Sequence, residues 1–297
     1  RTFYQKIIQR IFGYIVFLIC FIILYLSNTF SWFVSLNGLL QVLLFISLVC
    51  IPAYLTKRMS YVDIGWPWGL VLIGVLVLVL GEGYWLRKCI VSGMYLFAGL
   101  RMGIGSLVLL RKGHLDTELS RYKYQRKRWK KAGYTNIDLS LQYEIMLQCF
   151  ANVTFLAIPA ILQAFNPQEF LSPLEILGYL LWLVFFGVEH FADIQKQQFS
   201  KKAFLENRKK QVCNVGLWKY SRHPNYFAEW MVWNSLILSS LSSLFYFYLV
   251  ERNLIWLGLL VSLFYLSIIM YKTLVYYTGA IPSEYYSLKK RPDYKKY

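Results

Sequence analysis

Charge is scarce in this 297-residue sequence. Asp, Glu, Lys and Arg make up only 16% of it, where a soluble domain carries about 25%. Acid is scarcer still, with 15 Asp and Glu against 32 Lys and Arg and a formal charge of +17. Only three histidines occur (114, 190, 223), none at ligand spacing to another, so a metal site of the zinc type is not expected. The five cysteines (20, 50, 89, 149, 213) are scattered and lie mostly inside apolar runs. They form no disulfide framework and read as small buried apolar side chains. The pattern GxGxxG is missing, which argues against a Rossmann cofactor site. No nucleic-acid module surrounds the basic run RYKYQRKRWKK (121–131), so nucleic acid is not an expected partner. Neither an internal repeat nor a low-complexity tract divides the chain, and a single domain over 1–297 follows.

Apolar residues are abundant. Hydrophobic residues reach 57% and aromatics 19%. The runs IFGYIVFLICFIILYL (11–26), VLLFISLVCIPAYL (42–55), WGLVLIGVLVLVLG (68–81), LEILGYLLWLVFFGV (174–188) and LIWLGLLVSLFYLSIIMY (254–271) are cores of membrane spans. With their flanks most approach the ~20 residues that cross a hydrocarbon layer as a helix. They lack the period-2 alternation of a membrane barrel. The expected fold is all-α: a polytopic integral-membrane bundle of seven to eight helices, at about 11–28, 32–55, 60–80, 90–110, 142–163, 173–192, 227–247 and 253–276. The basic start RTFYQKIIQR lacks a following small-residue cleavage site, so 11–26 is read as a span rather than a signal peptide.

Basic residues fall in every second connection. They mark residues 1–10, Lys57 and Arg58, nine positions in 111–131, eight in 193–222, and the C-terminus. The intervening turns, near 28–31, 81–83, 165–169 and 247–252, are almost free of them, with Arg87 and Lys88 as the exception. The positive-inside rule then places both termini and the long basic loops in the cytoplasm.

An ionisable side chain inside a span is costly and points to function. Asp63 heads the third span, Arg101 lies mid-segment in YLFAGLRMGIGS, and Glu144 begins the fifth. Glu189, His190 and Asp193 end the sixth, and Glu229 starts the seventh. Glu189 and Asp193 are spaced i,i+4, as are Asn225 and Glu229, so each pair shares a helix face. Pro224 suits a first helical turn. Ser221 or Arg222 would then stand at a helix entrance whose free N–H groups, with Arg222 and His223 beside them, suit an anion.

The block ADIQKQQF…GLWKYSRHPNYFAEW (192–230) resembles the catalytic region of the steroid 5α-reductase family, in its broad bacterial branch. It is more distantly similar to isoprenylcysteine carboxyl methyltransferases and sterol C14-reductases. VDIGWPWG (62–69), GLRMGIGSLVLLRKG (99–113) and TGAIPSEYY…RPDYKKY (278–297) extend the likeness over most of 60–297. The resemblance implies an oxidoreductase of bacterial inner-membrane type that binds NADPH in a cavity of its catalytic region (59–297), with 1–58 as N-terminal spans. It implies hydride transfer to an α,β-unsaturated ketone, a 3-oxo-Δ4 steroid or similar lipid, by a monomer. Glu189 and Asp193 would line the nicotinamide ribose, and Asn225 and Glu229 would hold the carboxamide. Arg101, Arg111, Lys112, His114, Tyr220 and Arg222 would meet phosphates, with Lys196, Ser221, His223 and Tyr226 beside them. The family pairs a carboxylate with a tyrosine on the next helix, which points to Asp63 and Tyr95, with Tyr61 in reserve. Aligning on Arg101 puts Ala98 where that tyrosine is expected. An alternative is an S-adenosylmethionine-dependent methyltransferase; enzymes of that type share the Arg-His-Pro-x-Tyr element and often end with paired glutamates, of which only Glu284 appears here, in PSEYY.

Overall fold

A peptide group in lipid must find its hydrogen bond within the protein, and a helix provides one inside a single segment. The computed structural model describes residues 3–208 and 210–297. Among them the regular elements are helical and no strand occurs. The α-helices are α1 (Phe3–Tyr25), α2 (Ser31–Phe45), α3 (Ile51–Thr56), α4 (Val62–Leu80), α5 (Trp85–Arg111), α6 (Ser120–Ala132), α7 (Ile137–Val153), α8 (Ile158–Ala164), α9 (Pro173–Leu205), α10 (Pro224–Tyr248), α11 (Asn253–Lys272) and α12 (Ala280–Lys290). Seven helical segments of the described residues are long and apolar enough to cross a membrane, and the chain is an integral membrane protein. The expected span 227–247 is the helix α10, but it is not one of those seven. Its five serines dilute its apolar character. They tolerate their position because α8, α9 and α11 surround α10. Gln163 donates to Ser239 and Ser240 at 3.0 and 3.1 Å, and Asn166 donates to Ser243 at 3.0 Å.

Proline sets the irregular places. Pro52 has no N–H to return to the preceding turn, and α2 passes into α3 through a wide π turn at Ile46–Cys50. The span expected at 142–163 is broken into α7 and α8. Pro159 sits in the first turn of α8, where the N–H it lacks would be unpaired anyway, while Thr154 turns its hydroxyl onto the Phe150 carbonyl at 2.6 Å. The whole stretch 152–166 is buried, so the break lies inside protein and not against lipid.

Close approach fixes the interior pairs. A Cβ on Gly178 of α9 would lie 2.6 Å from the Ser239 amide nitrogen of α10, and one on Gly99 would lie 2.8 Å from the Pro67 carbonyl oxygen. Small residues at such crossings let helix backbones meet in a membrane.

The exceptional basic pair finds its explanation at the end of the bundle opposite the basic loops. Arg87 is fully buried and donates to Glu175, itself fully buried, and to the carbonyls of Asn166, Gln168 and Phe170. Lys88 donates to the Gly81 carbonyl at 3.0 Å. Arg87 is therefore a neutralised clamp holding three loop carbonyls, not a free topological charge. Glu251 does similar work nearby, accepting from Ser27 and from the Asn28 amide.

Two outcomes test this packing. Glu175→Ala leaves a buried guanidinium unpaired, which costs roughly 3–5 kcal/mol, and thermal unfolding in detergent should show a large drop in midpoint. Gly178→Val should also lower the midpoint, whereas Gly187→Val, on the same helix with nothing within 4 Å of its Cβ position, should not.

Candidate functional site

Three helices bring five of the intramembrane polar side chains together. Arg101 comes from α5, Glu189 and Asp193 from successive turns of one face of α9, and Asn225 and Glu229 from one face of α10. Arg101 Nη1 donates to Glu189 Oε1 at 2.6 Å, and Nη2 donates to Asp193. Its Nε faces His190 Nδ1 at 3.4 Å. Asn225 Nδ2 donates to Asp193 Oδ1 at 3.1 Å. One guanidinium fork thus ties two carboxylates, and one carboxylate ties the amide. Glu229 stands beside them at a chamber of about 10 Å³ bounded also by Tyr95, Ala98, Arg101, Glu189 and Trp233. That volume is roughly what a single water occupies, so side chains nearly fill the chamber. The Asn225 Oδ1 atom is buried and has no partner among the described residues. A buried amide oxygen without a donor costs about 1–3 kcal/mol.

The segment between α9 and α10 folds back over the end of α9. Leu217 N–H donates to Gln195 Oε1 at 2.9 Å, and Trp218 Nε1 donates to the Ala192 carbonyl at 2.8 Å. Gly216 is required there: its φ is +53°, and a Cβ would meet the Gln195 amide at 2.2 Å. Lys196 lays its ammonium 4.3 Å from the Trp218 ring centroid. Pro224 opens α10 as expected, with His223 rather than Ser221 or Arg222 immediately before it. Ser221 accepts from the His223 amide at 3.2 Å. Arg222 and His223 both reach Glu284 of α12, at 3.4 and 3.0 Å. Burial lowers the His223 pKa, and the contact with Glu284 partly offsets this. The His223 ring stacks on Tyr226 at 5.2 Å.

Asp63, in the first turn of α4, is not among the residues that line the chamber. Arg121 and Tyr122, both from α6, donate to its two carboxylate oxygens. Burial, and then the charge of Asp63, hold the Tyr122 phenol well above its ordinary pKa, so it remains a proton donor. Arg121 and Tyr226 line one concavity between α6 and α12. Tyr95 lines the chamber, but its hydroxyl donates to the Leu156 carbonyl. The tyrosine in contact with Asp63 is therefore Tyr122, not Tyr95.

The expected residues separate into groups. Arg101, Glu189, Asp193, Asn225 and Glu229 converge. Lys196, Ser221, Arg222, His223 and Tyr226 form the adjoining mouth. Arg111, Lys112 and His114 are exposed at the end of α5 and touch none of these groups, and Tyr220 is 85% exposed. Arg121 and Tyr122 lay hidden in a run that topology alone could explain. A usable signal was Tyr122, Gln125 and Trp129 at i, i+3 and i+7, the buried face of α6.

No curated protein and no solved structure matches this chain significantly. Residues 49–297 match the family described as Protein of unknown function (DUF1295), and the chain belongs to that family, which is related to steroid 5α-reductase-like membrane proteins.

Proposed function

We propose that the protein is an NADPH-dependent membrane reductase acting on the C=C bond of an α,β-unsaturated ketone in a lipid-like substrate such as a 3-oxo-Δ4 steroid. The observation that carries this reading is the Arg101–Glu189–Asp193–Asn225 network beside Glu229, enclosed between α5, α9 and α10. The unpartnered Asn225 Oδ1 fits a ligand that carries an N–H donor, as a nicotinamide carboxamide does. When bound, the dinucleotide supplies a hydride; the protein supplies position and charge. Asn225 and Glu229 would hold the carboxamide, and Asp193 and Glu189 would stay fixed by Arg101. Arg222 and His223, now engaged by Glu284, would turn to phosphate at the mouth. Asp63 accepts the Tyr122 O–H and pairs with Arg121; Tyr122 would turn that O–H from Asp63 to a carbonyl oxygen on which negative charge develops. The positive-inside rule assigns the basic end, with both termini, to the cytoplasmic face of a bacterial inner membrane. The cofactor would enter there and the substrate laterally from the bilayer, and the protein would act as a monomer.

A second reading is methyl transfer from S-adenosylmethionine. It is supported by the contact of Glu284, the acid of PSEYY, with Arg222 and His223.

Calorimetric titration of the detergent-purified protein with NADPH and with S-adenosylhomocysteine separates the two. NADPH should bind, and a 3-oxo-Δ4 steroid should stimulate its oxidation. Asn225→Ala and Glu229→Gln should each weaken NADPH binding by about 10-fold or more. Binding of S-adenosylhomocysteine alone would sink the reductase reading. Tyr122→Phe should lower kcat by about 10²–10⁴ with NADPH binding retained. If Tyr95→Phe is instead the damaging change, the proton donor is Tyr95.

A further inference from the structure

The starts of α4 and α6 meet, and each carries one member of the Asp63–Tyr122 pair. Ser60 stands three residues before Asp63, and Leu119 three before Tyr122. The Asp63 amide donates to the Ser60 carbonyl at 3.2 Å, and the Tyr122 amide donates to the Leu119 carbonyl at 3.0 Å. These two anchors are themselves joined, because Leu119 N–H donates to Ser60 Oγ at 3.0 Å. With the Tyr122 hydroxyl on Asp63, the bonds close a ring that passes through both helix starts.

Glu118 braces the same ring. Its carboxylate accepts from Ser60 Oγ at 2.6 Å, from Ser60 N–H at 3.1 Å and from Met59 N–H at 2.9 Å. Arg126 of α6 donates to that carboxylate at 2.9 Å, so its charge is matched. Ser60 is fully buried, and the Glu118 side chain is 8% exposed. In ordinary capping a side chain accepts from its own helix. Here the exchange is crossed. Ser60, ahead of α4, accepts from the residue ahead of α6, and Glu118, ahead of α6, accepts from the residues ahead of α4. Crossed bonds of this kind fix one helix start against the other. A reacting group is sensitive to such placement, since about 1 Å of displacement can cost roughly 10²-fold in rate. We infer that Ser60 and Glu118 are positioning residues, which hold the Tyr122 hydroxyl within reach of Asp63 and of a substrate carbonyl. The inference rests on the reductase reading.

Two measurements on the full-length protein in detergent test it. Ser60→Ala should speed hydrogen exchange of the 119–123 amides, which the joined starts protect. With NADPH and a 3-oxo-Δ4 steroid it should lower kcat by about tenfold or more and leave NADPH affinity unchanged. In a Tyr122→Phe background the same substitution should cost less than about twofold further, because it acts through a hydroxyl already removed. Asn136→Ala removes a cap from the start of α7, where Asn136 Oδ1 accepts from Leu139 N–H at 2.9 Å, and should leave kcat unchanged. Should Ser60→Ala not fold, Glu118→Gln, which keeps an acceptor oxygen, carries the same comparison. Unchanged exchange overturns the inference. So does faster exchange with unchanged kcat, or an equal loss of kcat with and without the Tyr122 hydroxyl. An inert wild type whose 119–123 amides still exchange faster in Ser60→Ala removes the reductase reading and leaves the hold of Ser60 and Glu118 on the Asp63–Tyr122 pair standing.

Discussion

A charge inside a bilayer must be matched by protein, because lipid offers neither water nor counter-ion. The structure meets that demand at both ends of the bundle in different ways. At one end Arg87 finds Glu175 and three loop carbonyls, so charge and donors are well served and the region is sealed. At the other, Arg101 bridges Glu189 and Asp193, but the adjoining Asn225 oxygen has no donor among the described residues. Completeness fits a structural clamp, and the gap is what the proposed site rests on.

Helix packing makes that asymmetry possible. Gly178 brings α9 against α10, which places the acids of one helix beside the amide and acid of the next. The buried break between α7 and α8 leaves the Leu156 carbonyl free to accept from Tyr95. The tyrosine that the resemblance singled out is thereby anchored, while α6 brings Tyr122 to Asp63 from outside the apolar bundle. The polar face of the protein is assembled from segments far apart in the chain: Asp63, the start of α6, the 216–226 connection and α12.

Much of this was legible beforehand. Apolar runs near the length of a bilayer crossing identify spans, because that length is a property of the solvent and not of the fold. The i,i+4 pairs at 189/193 and 225/229 needed only the pitch of a helix. Other features were hidden. Span 142–163 carried no visible interruption beyond Pro159, and composition left α10 short of a conventional span even though burial suits it. Glu284 appeared only as the remnant of a paired motif, yet it is the residue that engages Arg222 and His223.

By itself the sequence determined the solvent of the protein, the approximate helices, and which faces carry ionisable groups, since these follow from local hydropathy and helical period. Tertiary structure alone decided which of those groups meet. Arg101 chooses Glu189 and Asp193, Arg87 chooses Glu175, and Asp63 chooses Arg121 and Tyr122 rather than Tyr95. Each choice joins residues at least 58 positions apart. Periodicity has no reach over such separations; only the packing of whole helices brings the partners within hydrogen-bonding distance.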